Sequence, residues 1–171
     1  MPAEPALLST QTVPTTPSPP APFPTRAALL LGTGLGGFVD GIVLHQILQW
    51  DHSASSAGVP VDTVEGLKLN TFLDGLFHVA TWIMTVAGIA LVWRGARRGV
   101  RSVRGKLVGG VLMGFGLFNL VEGLVNHQLL GLHHVKETAP PDRWLAWDPR
   151  LLASGLLLLG LGCVISRKAP A

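Results

Sequence analysis

Four long apolar blocks constrain the fold of this chain more than any other feature. They span residues 27–50, 70–93, 106–130 and 149–165. A helix needs about 20 apolar residues to cross the hydrocarbon core of a bilayer, with a lower limit of about 17. The chain is 48% hydrophobic and only 13% charged, and its apolar residues are contiguous instead of spaced as on a soluble amphipathic helix. The sequence therefore predicts an all-α integral membrane protein, with a four-helix transmembrane domain over residues 27–168.

The charges between these blocks predict the orientation in the membrane. The segment 94–106, which joins the second and third blocks, holds six basic residues and no acid, and Arg167 and Lys168 follow the fourth block. Cytoplasmic loops are enriched in Lys and Arg. We therefore expect a multi-pass protein of the bacterial inner membrane with both termini in the cytoplasm and the bilayer as its first partner. Nucleic-acid binding is not indicated, because the basic residues form one short juxtamembrane loop without a recognition motif.

The segment before the first block, residues 1–26, is rich in Pro, Thr, Ser and Ala. It has no charged region ahead of an apolar core, as a signal peptide would have. Its composition predicts a disordered cytoplasmic tail. Cys163 is the only cysteine, so an intrachain disulfide or a thiolate metal cluster is excluded.

Two stretches of the chain carry the same pattern of polar residues at a constant offset of 82 residues. The first is 38–52 and the second is 120–134. An acid, a glycine, a histidine, a glutamine, a leucine and a second histidine recur in the same order, with Asp40 matching Glu122 and His45 matching His127. This is the pattern of an internal repeat. It predicts a bundle built from two related helical hairpins about a pseudo-twofold axis.

Acids and histidines within bilayer-length segments are costly to bury and are functional candidates by default. Counting about 1.5 Å per residue from the ends of the apolar blocks places all of these groups in the extracytoplasmic half. The candidate metal ligands are Asp40, His45, Asp74, His78, Glu122, His127 and His134.

The spacing of these candidates constrains how they can cooperate. Asp74 and His78 are four apart and share one helix face. The pairs Asp40/His45 and Glu122/His127 are five apart, which is about 140° around an ideal α-helix. We therefore expect His45 and His127 to point at each other from different helices, with each acid orienting a group on a neighbouring helix.

Structural roles are the alternative interpretation of several of these residues. Asp74 follows Thr71 at capping-box spacing, and Asp148 before Pro149 is a good helix N-cap. His52, His133 and His134 are equally well interpreted as solvated loop residues. Hydrogen bonding between helices is the alternative for His45 and His127.

The glycines of the first block match a nucleotide-binding motif but favour a packing role. Residues 32–37 fit G-x-G-x-x-G, with Asp51 about 20 residues further on. No strand-helix-strand unit surrounds this motif, so we reject nucleotide binding. The spacing of four in Gly32/Gly36 and Gly110/Gly114 indicates close packing of the first and third helices.

The strings GGFVDGIVLHQILQW, DGLFH and LVEGLVNHQLLGLHH resemble the signature of a bacterial family of predicted membrane proteins, domain of unknown function 2243. The similarity extends over nearly the whole chain after residue 26. Members of the family often have a second histidine directly after the tryptophan, where this chain has Asp51. The resemblance implies the fold and the topology and brings no established activity.

The leading functional hypothesis is binding of a transition metal (Cu, Fe or Zn), or of haem through His45 and His127. Imidazole and carboxylate ligands suit these metals, and a facing histidine pair suits haem. Such a site would serve electron transfer, oxidation or metal handling at the extracytoplasmic face. One alternative is a proton or cation pathway, weakened because the cytoplasmic half lacks matching acids and histidines. Another is a structural or assembly subunit whose partners are other membrane proteins.

Overall fold

The computed structural model describes residues 23–98, 100 and 104–169. Its first helix, α1, spans Thr25–Val39 and continues directly as a π-helical segment, Asp40–Ile47. Helix α2 spans Val64–Arg97. Helix α3 spans Arg104–Glu122 and again continues as a π-helical segment, Gly123–Leu129. A 3₁₀ turn, Pro141–Arg143, leads into α4, Trp144–Lys168.

These elements confirm the predicted all-α fold. Each of the four helical stretches is long and apolar enough to cross a membrane, and the described residues contain no strand. Most of the predicted N-terminal tail, residues 1–22, lies outside the described residues.

The helices form a bundle with two central and two flanking members. Helices α1 and α3 pack against each other, α2 packs on α1, and α4 packs on α3. Within the described ranges α2 and α4 do not touch. The flanking helices leave rows of large apolar side chains exposed, as a lipid-facing surface requires: Phe72, Leu76, Val79, Ile83, Val86, Leu156, Leu157, Leu161 and Val164.

Glycines bring the two central helices close together. Gly32 of α1 lies against the backbone of Val111, and Gly114 of α3 lies against the backbone of Leu29. A Cβ atom at either glycine would collide with a carbonyl oxygen. Small residues allow this approach in membrane helices, where packing takes the place of hydrophobic association. The predicted close packing of the first and third helices at these glycines is therefore confirmed.

Both central helices end in the same unusual way. In each π-helical segment the last hydrogen bonds run from residue i to i+5, as when Leu48 N–H donates to the Val43 carbonyl and Leu130 N–H donates to the Val125 carbonyl. The second residue after each segment has a positive φ, which is 49° at Gln49 and 57° at Gly131. The two helices thus leave the membrane layer through matching turns.

Two helix starts differ from the prediction. Helix α2 begins at Val64, where the Thr63 hydroxyl accepts a hydrogen bond from Gly66 N–H, so the capping role considered for Asp74 is wrong. Helix α4 begins at Trp144, so Asp148 lies inside the helix and the N-cap interpretation is also wrong. Both acids are completely buried, and their carboxylates are free to serve other partners.

The two loops at one end of the bundle, residues 48–63 and 130–140, fold over the helices and bond to each other. Ser56 N–H donates to the Leu132 carbonyl, and Glu137 N–H donates to the Trp50 carbonyl. We call this end of the molecule the loop end. Because these hydrogen bonds hold the loops together, residues of both loops lie against the ends of the central helices.

Candidate metal centre

Six ionisable side chains from both halves of the chain meet just below the loop end. Each is only 3–6% exposed. We call this group the inner cluster, and its members are Asp40, His45, Asp51, Glu122, His127 and His133.

The π-helical segments place each acid beside the histidine five residues later. His45 Nε2 lies 3.5 Å from Asp40 Oδ2, and His127 Nε2 lies 3.9 Å from Glu122 Oε1. In a π-helix the hydrogen bonds close from i to i+5, so residues five apart lie one wide turn apart on the same face. The expectation that these pairs diverge by about 140° holds only for a regular α-helix and is wrong here.

His133 lies at the middle of the inner cluster. Its Nδ1 is 2.7 Å from Asp51 Oδ2, and its Nε2 is 3.2 Å from Glu122 Oε1. Its ring stands steeply against the rings of His45 and His127, at centroid distances of 5.3 and 4.7 Å. His45 and His127, which we expected to point at each other, therefore both stand against the ring of His133.

Asp51 and His133 lie in the loops, outside the membrane-spanning helices, and form an ion pair. Burial lowers the pKa of the His133 imidazole, but its hydrogen bonds to Asp51 and Glu122 more than offset this and raise the pKa to about 9. Burial raises the pKa of Asp51, but the hydrogen bond from His133 and the nearby imidazole of His45 leave it below its usual value. Both groups are therefore charged at neutral pH in the metal-free protein.

A second layer of carboxylates holds the histidines in place, beginning with Asp74 in α2. Its carboxylate oxygens lie 3.1 Å from His45 Nδ1 and 3.0 Å from His52 Nδ1. They also accept hydrogen bonds from the backbone N–H and the hydroxyl of Ser53. Asp74 thus orients one histidine of the inner cluster and fastens the first loop to α2.

Asp148 in α4 takes the corresponding place in the second half, although His127 Nδ1 forms no hydrogen bond within the described residues. Its carboxylate accepts hydrogen bonds from His134 Nδ1 at 2.6 Å and from Val135 N–H at 3.1 Å, and it lies 3.5 Å from His127 Nδ1. Gln128 Nε2 adds a further hydrogen bond at 3.2 Å. A carboxylate on one ring nitrogen fixes the tautomer and leaves the other nitrogen as a metal ligand, which is the common arrangement behind metal-binding histidines.

Several buried atoms of the inner cluster lack hydrogen-bond partners. Asp40 Oδ2, His45 Nε2 and Asp51 Oδ1 are among them. Buried polar atoms are nearly always paired, and each unpaired one costs about 1–3 kcal/mol. All three are atoms that bind metals, and His45 Nε2 lies near both carboxylates, 3.5 Å from Asp40 and 3.3 Å from Asp51. The cluster therefore presents ligand atoms toward a common space.

Two groups within the inner cluster have the geometry of metal ligands. One consists of His45, Asp51 and His133, and the other consists of Glu122, His127 and His133. In each group the ligand atoms lie within 4.8 Å of one another, and every residue is buried. His133 belongs to both groups.

Four of the sequence-predicted ligands lie outside these groups, namely Asp40, Asp74, His78 and His134. Asp40 stays in the inner cluster beside His45, and Asp74 lies in the second layer. His78 is half-buried, and its Nδ1–H donates to the backbone carbonyl of Asp74 at 2.7 Å. His134 binds Asp148 and stacks on Trp144 with a centroid distance of 4.8 Å. Its side chain is 21% exposed.

Sequence reasoning missed Asp51 and His133 as members of the cluster. Both were interpreted from their position in polar loops, and a loop that folds back over a bundle leaves no periodic signal. A signal did exist, since the two residues occupy corresponding positions 82 residues apart, one residue before the matched pair His52 and His134.

An open cleft of about 930 Å³ leads from the loop end to the cluster. Its walls include His45 and Asp51 of the inner cluster together with His52, His134 and Glu137. A small solute can thus approach the buried ligands along ionisable side chains.

Comparison with curated proteins and with solved structures gives no match. The family model described as predicted membrane protein, domain of unknown function 2243 (DUF2243), matches residues 27–169. This range includes α1 from Ala27 onward, the other three helices and every member of the inner cluster. The chain belongs to the DUF2243 family of membrane proteins.

Proposed function

We propose that this protein binds a transition metal at the inner cluster, for redox chemistry or metal handling at the extracytoplasmic side of a bacterial inner membrane. The observation that carries the proposal is the pair of buried histidine and carboxylate groups with unpartnered ligand atoms. Mixed imidazole and carboxylate ligation suits Zn, Cu(II) and Fe.

The charge of the cluster supports a cation as its ligand. Asp40, Asp51 and Glu122 lie together within a cluster shielded from water. Buried carboxylates are stable only when they are paired, protonated or bound to a metal. A divalent cation at the centre would offset their charge and occupy the unpartnered atoms.

A metal ion fits the cluster better than haem does. Haem ligated by His45 and His127 would need the space between the two rings for its macrocycle. The ring of His133 stands against both of these rings, at centroid distances of 5.3 and 4.7 Å, and it is fixed by Asp51 and Glu122. The ligand atoms of each group lie within 4.8 Å of one another, which is close enough for one ion to reach them, whereas haem would have to displace His133 and its loop.

A transmembrane proton pathway receives less support from the same residues. The linked groups run from His52 through Asp74 and the inner cluster to Asp148 and His134. Both ends of this chain lie at the loop end. In the described part of the helices below the cluster, the buried polar side chains are hydroxyls and an amide, namely Thr81, Thr85 and Asn119. These side chains do not ionise at accessible pH.

Metal binding is tested by titrating the detergent-purified full chain with Zn²⁺ against a chelator. We expect His45→Ala and His127→Ala to abolish high-affinity binding, because each removes a ligand outright. His78→Ala is the matched control, a histidine at membrane depth outside both ligand groups, and it should bind as the unaltered protein does. Undiminished binding in the first two variants would refute the proposal, and a Soret band in the isolated protein would favour haem.

The proposed orientation places the loop end outside the cytoplasm. It rests on the basic residues Arg94, Arg97 and Arg104 at the opposite end of α2 and α3 and on the retention of such residues in the cytoplasm. Activity reporters fused after Arg98 should behave as cytoplasmic, and those inserted at Gly58 or Thr138 should behave as extracytoplasmic. The reverse pattern would place the proposed metal site on the cytoplasmic side.

A further inference from the structure

We propose that the inner cluster holds two divalent cations bridged by the imidazolate ring of His133, an inference that rests on the metal-binding function proposed above. The first observation is the place of His133 in both ligand groups. Its two nitrogens face different partners, with Nδ1 toward Asp51 at 2.7 Å and Nε2 toward Glu122 at 3.2 Å. A single ring is thus presented to two sites at once.

Each side of His133 offers a similar set of ligands. On the Nδ1 side stand His45 and Asp51, with Asp40 Oδ2 a further 3.5 Å from His45 Nε2. On the Nε2 side stand His127 and Glu122. Each metal therefore receives two imidazole nitrogens, counting one from His133, and at least one carboxylate, which is a ligand set typical of Zn, Cu and Fe sites.

The carboxylates of Asp74 and Asp148, which we call the outer carboxylates, make this assignment specific. Asp74 lies 3.1 Å from His45 Nδ1, and Asp148 lies 3.5 Å from His127 Nδ1. Both histidines are thereby oriented with Nε2 toward the cluster, one for each metal. His133 has no outer carboxylate, because both of its nitrogens face members of the inner cluster. This is the arrangement that a bridging ligand requires and a terminal ligand does not.

The charges of two cations and the inner cluster balance. Three carboxylates, those of Asp40, Asp51 and Glu122, and one imidazolate supply four negative charges. Two divalent cations supply four positive charges. Each metal displaces one ring proton of His133, and both protons leave to solvent. A single divalent cation beside a neutral His133 would leave a net charge of about −1 on the three buried carboxylates, which is costly in a medium of low dielectric.

The proposal is tested with Cu²⁺ bound to the full chain in detergent, by metal analysis and electron paramagnetic resonance. We expect two Cu²⁺ per chain, with a signal intensity far below that of two isolated ions because the bridged spins couple. Replacing one Cu²⁺ with diamagnetic Zn²⁺ should restore the full signal of the remaining Cu²⁺. His133→Gln should remove the coupling, whereas His78→Ala should keep both the stoichiometry and the coupling.

The outcomes separate this proposal from the function on which it rests. No bound metal would overturn both. One metal per chain, shared by His45 and His127, would overturn the bridge and leave the metal-binding function standing. Two metals with an uncoupled spectrum in the unaltered protein would also overturn the bridge. These three outcomes are read from the unaltered chain, so the test does not depend on the folding of His133→Gln.

Discussion

The two halves of the molecule make the same contacts at corresponding positions and differ at the centre. In the first half His45, His52 and the N–H of Ser53 surround Asp74. In the second half the residues 82 positions later, at 127, 134 and 135, surround Asp148. At the next pair of corresponding positions the first half has an acid, Asp51, and the second has a base, His133.

This difference is what joins the halves. Two aspartates at these positions would repel each other within a buried cluster, and two histidines would supply no negative charge to stabilise an imidazolium. An aspartate and a histidine form a hydrogen-bonded ion pair across the junction instead. The contacts around Asp74 and Asp148, which recur in both halves, position the ligands. The pair of Asp51 and His133 connects one half to the other.

The pair of Asp51 and His133 predicts the largest effect, which is a loss of stability at high pH in the metal-free protein. The pKa of His133, raised from 6.5 to about 9 by Asp51 and Glu122, means that its stabilisation is complete below pH 6.5 and is lost as the pH rises through 9. One pKa unit corresponds to about 1.4 kcal/mol, so the free energy of unfolding should fall by about 3 kcal/mol. Chemical unfolding in detergent with a chelator, from neutral to alkaline pH, measures this loss.

His133→Gln supplies the control for the pH profile. Glutamine does not titrate, so the variant should be less stable at neutral pH and should show a much flatter decline toward alkaline pH. An equally steep decline in His133→Gln would assign the pH dependence to other groups and would remove the ion pair from the account of how the halves are joined.

The second effect concerns the outer carboxylates, whose distances to the histidines of the inner cluster differ between the halves. His45 Nδ1 lies 3.1 Å from Asp74, whereas His127 Nδ1 lies 3.5 Å from Asp148, which also accepts from Gln128. Loss of such a partner weakens metal affinity by about 10 to 100-fold. We expect Asp74→Asn to lie near the upper limit of this range and Asp148→Asn near the lower, as measured by chelator competition with Zn²⁺.

Asp62→Asn is the matched control, because this carboxylate lies exposed in the first loop, and its removal should leave the affinity unchanged. Equal losses of affinity in Asp74→Asn and Asp148→Asn would show that the difference between the two distances does not affect metal binding. A larger loss in Asp148→Asn would reverse the comparison.

Much of the fold could be predicted from the sequence because hydrophobic length and small-residue spacing act locally. The four apolar blocks identified the four helices. The spacing of four in Gly32/Gly36 and in Gly110/Gly114 indicated the close packing of the two central helices. The π-helical segments could not be predicted in this way. A shift from i+4 to i+5 hydrogen bonds changes neither composition nor hydropathy, although an acid and a histidine five apart in both halves were its visible trace.

The site was predictable where it rests on helices and less so where it rests on loops. Asp40, His45, Glu122 and His127 stand out as ionisable groups in apolar segments. The burial of Asp51 and His133 depends on hydrogen bonds between distant loops, such as that of Glu137 N–H to the Trp50 carbonyl. Asp148 was misinterpreted because Pro149 favours a helix start, whereas the helix begins earlier, at Trp144.

The smallest effect concerns the turns that end the two π-helical segments. Gln49 and Gly131 occupy corresponding positions with positive φ values of 49° and 57°. This conformation costs a residue with a side chain about 1–2 kcal/mol and costs glycine little. Gln49→Gly should therefore raise the free energy of unfolding by about 1 kcal/mol, and Gly131→Ala should lower it by a similar amount. Unfolding of the chelated protein at fixed pH measures both.

The environment of the two turn residues makes the backbone the main source of this effect. A Cβ at Gly131 would meet no atom within 4 Å, and Gln49 is exposed, so neither substitution disturbs buried packing. Gly160→Ala in α4, where a Cβ also meets nothing, is the control at helical φ and should be neutral or slightly stabilising. Opposite shifts at positions 49 and 131 would show that both halves use the same strained turn and that only the second relieves it with glycine. Shifts of the same sign would mean that the two turns are held by different interactions, and the correspondence between the halves would then end at the helices.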